Sequence, residues 1–107
     1  MSYEVVLSAR FKRVFKRLSK KCSSLTKEYE RLIKSLETNP TQGTSLGQNC
    51  YKIRLAIQSK GVGKRGGARV ITYIVTEDEK VVLLTIYDKK DKADLEPGEL
   101  GELLNSL

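Results

Sequence analysis

Apolar residues in the first 40 positions change from an alternating to a helical spacing. Tyr3, Val5 and Leu7 occupy every second position, which predicts a short strand. Apolar residues then recur at intervals of three and four, the spacing that lines one face of a helix. The two stripes consist of Phe11, Val14, Phe15 and Leu18, and of Leu25, Tyr29, Leu32, Ile33 and Leu36. Because Asn39-Pro40 ends the second stripe, we predict a hairpin of two helices.

The next segment returns to a period of two. After a polar loop over residues 40–49, every second residue from Tyr51 to Ile57 is apolar, and Lys52 and Arg54 stand between them. This alternation predicts a half-buried strand with one apolar and one cationic face.

Two further strands and a helix complete the predicted fold. The runs 68–76 and 80–88 are rich in β-branched residues and flank a short acidic turn. Pro97 fits the first position of a final helix with spaced leucines. The order β-α-α-β-β-β-α predicts an α+β fold, a single domain over residues 1–107. In it, the helical hairpin packs on one face of a small antiparallel sheet, and a short C-terminal helix follows.

The composition excludes several classes of protein. The 107 residues include no His and two Cys, which excludes Ser-His-Asp and Cys-His catalysis and a four-ligand zinc site. We expect no metal and no small-molecule cofactor. The start lacks a secretory signal and the longest apolar runs are too short to span a membrane, so we expect a cytoplasmic protein without membrane contact. In that compartment Cys22 and Cys50 should be buried free thiols.

The charges are unevenly distributed along the chain, which has a net charge of +7. Residues 41–76 contain six basic residues and no acidic one, whereas residues 77–107 contain nine acidic and four basic residues. An acid-free stretch of this length indicates a surface that meets an anion. The basic helix face at residues 10–21 is either a second such surface or a solvated face, as charge runs usually are.

A glycine-rich segment matches a nucleotide-binding motif by chance. Residues 61–66 satisfy G-x-G-x-x-G, but they lead into a strand, whereas the dinucleotide motif opens a helix. The segment instead offers Lys60, Lys64 and Arg65, which either bind a phosphate backbone or belong to a solvated loop.

Cations on the predicted strands give a sharper hypothesis. Lys52 and Arg54 share one strand face, and a suitable register adds one basic and one aromatic residue from each of the next two strands. Those residues are Arg69 and Tyr73, and Tyr87 and Lys89. Such a face suits an RNA strand, and clustered cations lower one another's pKa, which allows a Lys to accept a proton. The alternative is a set of edge-strand cations that prevent aggregation.

Three segments together resemble the RelE/HigB branch of the RelE/ParE toxin superfamily. They are Cys50-Tyr51-Lys52-Ile53-Arg54-Leu55, Gly67-Ala68-Arg69-Val70-Ile71-Thr72-Tyr73 and Leu83-Leu84-Thr85-Ile86-Tyr87-Asp88-Lys89. The resemblance implies a toxin of a type II toxin-antitoxin system, an mRNA interferase that cleaves messenger RNA in the ribosomal A site and so inhibits translation. It also implies a metal-independent reaction in which the ribose 2′-hydroxyl attacks the adjacent phosphate.

The resemblance further implies roles for individual residues. Lys52 matches the general base, Arg54 a second cation beside it, and Arg69 the arginine that holds the scissile phosphate. Lys89 or Lys90 matches a cation at the leaving group. Because Arg seldom releases a proton, the acid and base roles stay unassigned among the lysines and Arg54. The final helix lacks the tyrosine of some members, so base stacking would fall to Tyr73 or Tyr87.

The partners that the resemblance implies are an acidic antitoxin protein, the 70S ribosome and its messenger RNA. Two alternatives remain on the same fold: a ParE-like inhibitor of DNA gyrase, and a relative that binds RNA without cleaving it.

Overall fold

A computed structural model of the chain describes residues 2–57 and 67–107. Its elements are β1 (Glu4–Leu7), α1 (Ala9–Lys21), α2 (Leu25–Thr38), β2 (Thr44–Gly47), β3 (Cys50–Leu55), β4 (Ala68–Val75), β5 (Lys80–Asp88) and α3 (Glu99–Asn105). The predicted α+β class and helical hairpin are confirmed, and β2 is an additional strand. None of the helices in the described part of the chain has the length and apolar character that a membrane span needs.

Within residues 2–57 and 67–107, five strands form one mixed sheet in the order β1-β5-β4-β3-β2. From β2 to β5, each strand pairs antiparallel with the next, whereas β1 runs parallel to β5. The prediction of a purely antiparallel sheet is therefore corrected at β1. The helical hairpin carries the chain from one edge of the sheet to the other, so the last strand of the meander returns to pair with the first.

The polar loop predicted over residues 40–49 contains the edge strand β2. Thr44 pairs with Lys52 of β3, and the connecting turn has positive φ at both Gln48 (54°) and Asn49 (61°). Two left-handed residues are the turn geometry that matches the twist of a tight hairpin. The strand has no apolar alternation and is largely exposed, so the hydrophobic pattern contained no sign of it.

The main core lies between the helical hairpin and one face of the sheet. The two helical stripes supply buried Phe11, Leu18, Leu25, Leu32 and Leu36, as their spacing predicts. The Phe11 ring is fully buried and stacks on Phe15 with a centroid separation of 5.7 Å. Buried aliphatic side chains of β3, β4 and β5 form the opposite wall of this core.

The second face of the sheet has a smaller apolar cluster. Its buried members are Cys50, Ile71, Leu84, Tyr87 and Leu103. Leucines of α3 and of the segment before it pack against this cluster, so the C-terminal part of the chain covers this face. Both cysteines are free and buried, as predicted, and burial raises the pKa of the Cys50 thiol to about 11.

Gly67 directly precedes β4 and lies between the ends of its two neighbouring strands, β3 and β5. Its carbonyl oxygen accepts a hydrogen bond from the Lys89 backbone N–H at 3.0 Å. A Cβ atom at this position would collide with the backbone carbonyl oxygen of Leu55. Only glycine therefore fits between the two strand ends.

Ser8 connects β1, α1 and β5 through one hydroxyl group. Its Oγ accepts a hydrogen bond from the Phe11 backbone N–H at 3.0 Å and so caps α1. The same hydroxyl donates to the Leu84 carbonyl oxygen at 2.9 Å. The start of α1 is thereby fastened to β5, just beyond the last residue that pairs with β1.

We expect Ser8→Ala to lower the free energy of unfolding by about 1–2 kcal/mol, because it removes a helix cap and a tertiary hydrogen bond together. Urea denaturation monitored by circular dichroism measures this. Ser19→Ala is the matched control, since the Ser19 hydroxyl donates within α1 to the Lys16 carbonyl oxygen on an exposed surface. Equal losses in the two variants would contradict the tertiary role of Ser8.

Candidate functional site

The register of the sheet aligns three predicted site residues in one row. Arg54 of β3 lies opposite Arg69 of β4, and Arg69 lies opposite Tyr87 of β5. Directly opposed residues of antiparallel strands point to the same face. The row therefore places two guanidinium groups and a phenol side by side, on the face opposite the helical hairpin.

A second row, two residues before Arg54 on β3, adds an ammonium group. Lys52 lies opposite Ile71, and Ile71 lies opposite Thr85. Because side chains two residues apart on a strand share a face, Lys52 lies on the same face of the sheet as Arg54, Arg69 and Tyr87. We call these four residues the cationic face: Lys52, Arg54, Arg69 and Tyr87.

The cationic face has a buried centre and an accessible rim. Arg69 is only 3% exposed and Tyr87 7%, whereas Arg54 at the rim is exposed. The Lys52 side chain is 17% exposed. The Nη1 atom of Arg69 donates to the Ala68 carbonyl oxygen at 3.2 Å. Sequence reasoning placed the cations together but contained no indication that Arg69 would be covered.

The pKa of Tyr87, at the centre of the cationic face, is raised. Burial and the neighbouring Asp94 carboxylate, with which its hydroxyl forms a 3.4 Å hydrogen bond, raise the pKa of Tyr87 to about 12, against an opposing effect of Arg69. Its phenol is therefore protonated at neutral pH and acts as a donor. The Lys92 Nζ atom lies 5.4 Å from the centroid of the ring, so a cation faces the π-system.

Asp94 links the two ends of the cationic face. One carboxylate oxygen accepts the Tyr87 hydroxyl, and the other lies 3.4 Å from the Lys52 Nζ atom. A hydrogen bond from the Leu95 backbone N–H and the nearby Lys52 hold the pKa of Asp94 below its usual value, although partial burial opposes this. Sequence reasoning did not single out Asp94. The available signal was the acid-rich final third of the chain beside an acid-free middle.

Lys92 fixes the segment that contains Asp94 to α3. Its Nζ atom lies 2.7 Å and 2.8 Å from the two carboxylate oxygens of Glu99. Burial opposes ionisation of Glu99, but Lys92 and a hydrogen bond from the Glu96 backbone N–H hold its pKa below the usual value. Glu99 lies in the first turn of α3, where a carboxylate is favoured by the helix dipole.

The other predicted site residues lie outside the cationic face. Lys89 and Lys90 follow the end of β5 and are exposed, and Lys90 lines a depression beside Lys21 at the end of α1. Tyr73 shares the sheet face but lies four residues from Arg69, about 13 Å along β4. The predicted RNA contacts Lys60, Lys64 and Arg65 lie outside the described residues.

The chemistry that this face offers is anion binding and proton donation. Guanidinium and ammonium groups bind phosphate oxygens, and the protonated phenol donates a hydrogen bond. Residues 2–57 and 67–107 contain no group of three or more His, Cys, Asp or Glu side chains arranged to hold a metal ion.

A family model described as the RelE toxin of the RelE/RelB toxin-antitoxin system matches residues 9–106. The chain belongs to the RelE toxin family. The match spans the helical hairpin, the strands of the cationic face and α3, so the resemblance noted from the strand segments is confirmed.

Solved RelE structures share the fold of this RelE-family chain. A mutant of the Escherichia coli toxin RelE in its free state is 16% identical, with a TM-score of 0.62 over 99% of this chain and 94% of that chain. The same toxin bound to a peptide of the antitoxin RelBc is 17% identical, with a TM-score of 0.56 over 90% and 98%. The RelBE2 toxin-antitoxin complex from Mycobacterium tuberculosis is 16% identical, with a TM-score of 0.55 over 82% and 99%.

The raised pKa of Tyr87 predicts a specific loss of stability at high pH. Because the folded-state pKa of about 12 exceeds the ordinary tyrosine pKa of 10.0, the stabilisation is complete below pH 10 and is lost as pH rises toward 12. Tyr87→Phe cannot ionise, so its free energy of unfolding should fall less steeply over this interval. Urea denaturation of both proteins at a series of pH values measures the difference, and parallel curves would contradict the assignment.

Proposed function

We propose that this RelE-family chain is the toxin of a type II toxin-antitoxin pair and a metal-independent endoribonuclease that cleaves messenger RNA in the ribosomal A site. The observation that carries the proposal is the row formed by Arg54, Arg69 and Tyr87, with Lys52 beside it. Family membership supports the toxin function, and the row supports the cleavage because guanidinium groups bind phosphate oxygens.

The proposed reaction is an attack of the ribose 2′-hydroxyl on the adjacent phosphorus. The O2′–P bond forms and the P–O5′ bond breaks, leaving a 2′,3′-cyclic phosphate and a 5′-hydroxyl. One proton leaves the 2′-oxygen and one joins the 5′-oxygen. The pentavalent phosphorane carries extra negative charge, so cations positioned beside it lower the barrier.

The side chains of the face divide these tasks by their chemistry. Arg69, which retains its charge and can bind two oxygens at once, fits the scissile phosphate. Lys52 is the group for proton exchange with a reacting oxygen, and Arg54 at the exposed rim fits a neighbouring backbone phosphate. Exposed Lys89 can serve the leaving group, whereas the position of Lys90 beside the end of α1 favours it less.

Tyr87 is better suited to hydrogen bonding than to base stacking. The ring is 7% exposed and Lys92 lies over one of its faces, which leaves little surface for a nucleobase. Its protonated hydroxyl can instead donate to a phosphate oxygen once Asp94 is displaced. The half-buried Tyr73 remains the aromatic candidate for stacking.

The same charge distribution supports the proposed partners. A net charge of +7 favours the anionic surfaces of the 70S ribosome and an acidic antitoxin protein. Two of the structural relatives are complexes with antitoxin chains or peptides. Because Arg69 is only 3% exposed, a phosphate reaches its guanidinium group only when neighbouring side chains move.

Primer extension on messenger RNA in programmed ribosomes tests the activity. We expect a new cut at the A-site codon, and a rate roughly 10²–10⁴ lower in Lys52→Ala and Arg69→Ala because proton transfer or charge stabilisation is lost. Lys34→Ala removes an equal charge from an exposed position on α2 and should cleave like the parent. Arg69→Lys provides a variant that keeps the buried charge if the alanine variant fails to fold.

Two results would contradict the proposal. Equal cleavage of ribosome-free RNA would remove the dependence on the ribosome. No cut in either sample, with the protein folded, would remove the endoribonuclease, and inhibition of DNA gyrase supercoiling by the same protein would then establish the ParE-like alternative.

A further inference from the structure

The Asp94 carboxylate occupies a position suited to a bound anion. It contacts the Nζ atom of Lys52 and the hydroxyl of Tyr87, two donors that arise from different strands. Both separations are 3.4 Å, and each donor meets a different carboxylate oxygen. A phosphate group presents oxygens with comparable spacing, so the same two donors can hold it.

The contact is loose and accessible, which is unlike a structural ion pair. The Asp94 side chain is 60% exposed, and its separations from Lys52 and Tyr87 are at the long end of the hydrogen-bond range. Its shortest contact is local, with the Leu95 backbone N–H at 2.9 Å. Because the Asp94 carboxylate is exposed and both separations are long, these contacts contribute little to stability, and replacing Asp94 by another anion costs little.

The position of Asp94 in the fold allows its carboxylate to leave Lys52 and Tyr87 and be replaced by another anion. Asp94 lies on the segment between β5 and α3, outside any helix or strand, whereas Lys52 and Tyr87 lie within the sheet. The Lys92–Glu99 pair anchors the same segment to α3 independently of Asp94. The carboxylate can therefore leave the two donors without release of the segment from α3.

We propose that Asp94 is an internal competitor of RNA phosphate: its carboxylate fills an anion subsite between Lys52 and Tyr87 that a phosphate of the substrate takes when RNA binds. This inference rests on the proposed function in naming RNA as the anion. It makes Asp94 a residue that weakens RNA binding to the isolated protein, with an effect opposite to that of the surrounding cations.

The test compares the binding of one uncleavable probe to a set of variants. The probe is a fluorescein-labelled 2′-O-methyl RNA trinucleotide, and its dissociation constant is measured by fluorescence anisotropy at low salt without ribosomes. Asp94→Asn should bind about threefold to tenfold more tightly than the parent, because it removes a charge that competes for two donors. Asp94→Glu keeps the charge and should bind like the parent.

Asp91→Asn is the matched control. Asp91 lies on the same segment and is exposed, so this variant makes the same change in net charge without altering the contacts to Lys52 and Tyr87. Circular dichroism confirms that all variants are folded. A gain in Asp94→Asn that exceeds the gain in Asp91→Asn supports the subsite, since a general electrostatic effect would be shared by both.

Other outcomes overturn the inference. Equal gains in Asp94→Asn and Asp91→Asn, or no measurable binding by any variant, would show that Asp94 competes for no specific subsite. Weaker binding, or slower ribosomal cleavage with unchanged binding, would instead identify Asp94 as a positioning residue for Lys52. If the parent fails to cut RNA on ribosomes while Asp94→Asn still gains affinity, the subsite stands and the proposed activity fails.

Discussion

The register between β3 and β4 is the constraint on which the candidate site depends. Arg54 lies opposite Arg69 because Ile53 and Leu55 point into the core beneath the helical hairpin. A shift by one residue would bury the cations under the helices and expose the aliphatic side chains. The hydrophobic effect that holds the sheet against α1 and α2 therefore also brings the cations of the other face together.

This arrangement places like charges close together, and the chain compensates for it locally. Arg69 is almost completely buried, and a buried cation is costly unless polar groups surround it. The Arg69 Nη1 atom donates to the Ala68 carbonyl oxygen, and acidic residues of the C-terminal third pair with nearby lysines, Asp94 with Lys52 and Glu99 with Lys92. The uneven charge distribution of the sequence thus becomes a contact between a basic sheet face and an acidic covering segment.

The sequence was sufficient for features that depend on side-chain periodicity. The helical stripes from Phe11 to Leu36 and the alternation from Tyr51 to Ile57 identified the helices and the central strands, and the family resemblance drew on those same strands. The hydrophobic pattern did not predict the edge strand β2, because backbone pairing forms this strand without an alternation of apolar side chains. The parallel pairing of β1 depends on where the chain returns, and the contacts of Asp94 depend on how a segment without periodicity folds over the sheet. Both are long-range properties that local spacing does not encode.

Gly67 separates the geometry of the sheet from the segment that precedes it. Gly67 packs against the Leu55 carbonyl oxygen and accepts a hydrogen bond from the Lys89 backbone N–H, and the paired residues of β3, β4 and β5 that follow hold the register. The length and composition of the connection between β3 and β4 can therefore vary without a change in the register of the cationic face. During evolution, the connection can therefore be adapted to a new partner while the spacing of the site residues stays constant.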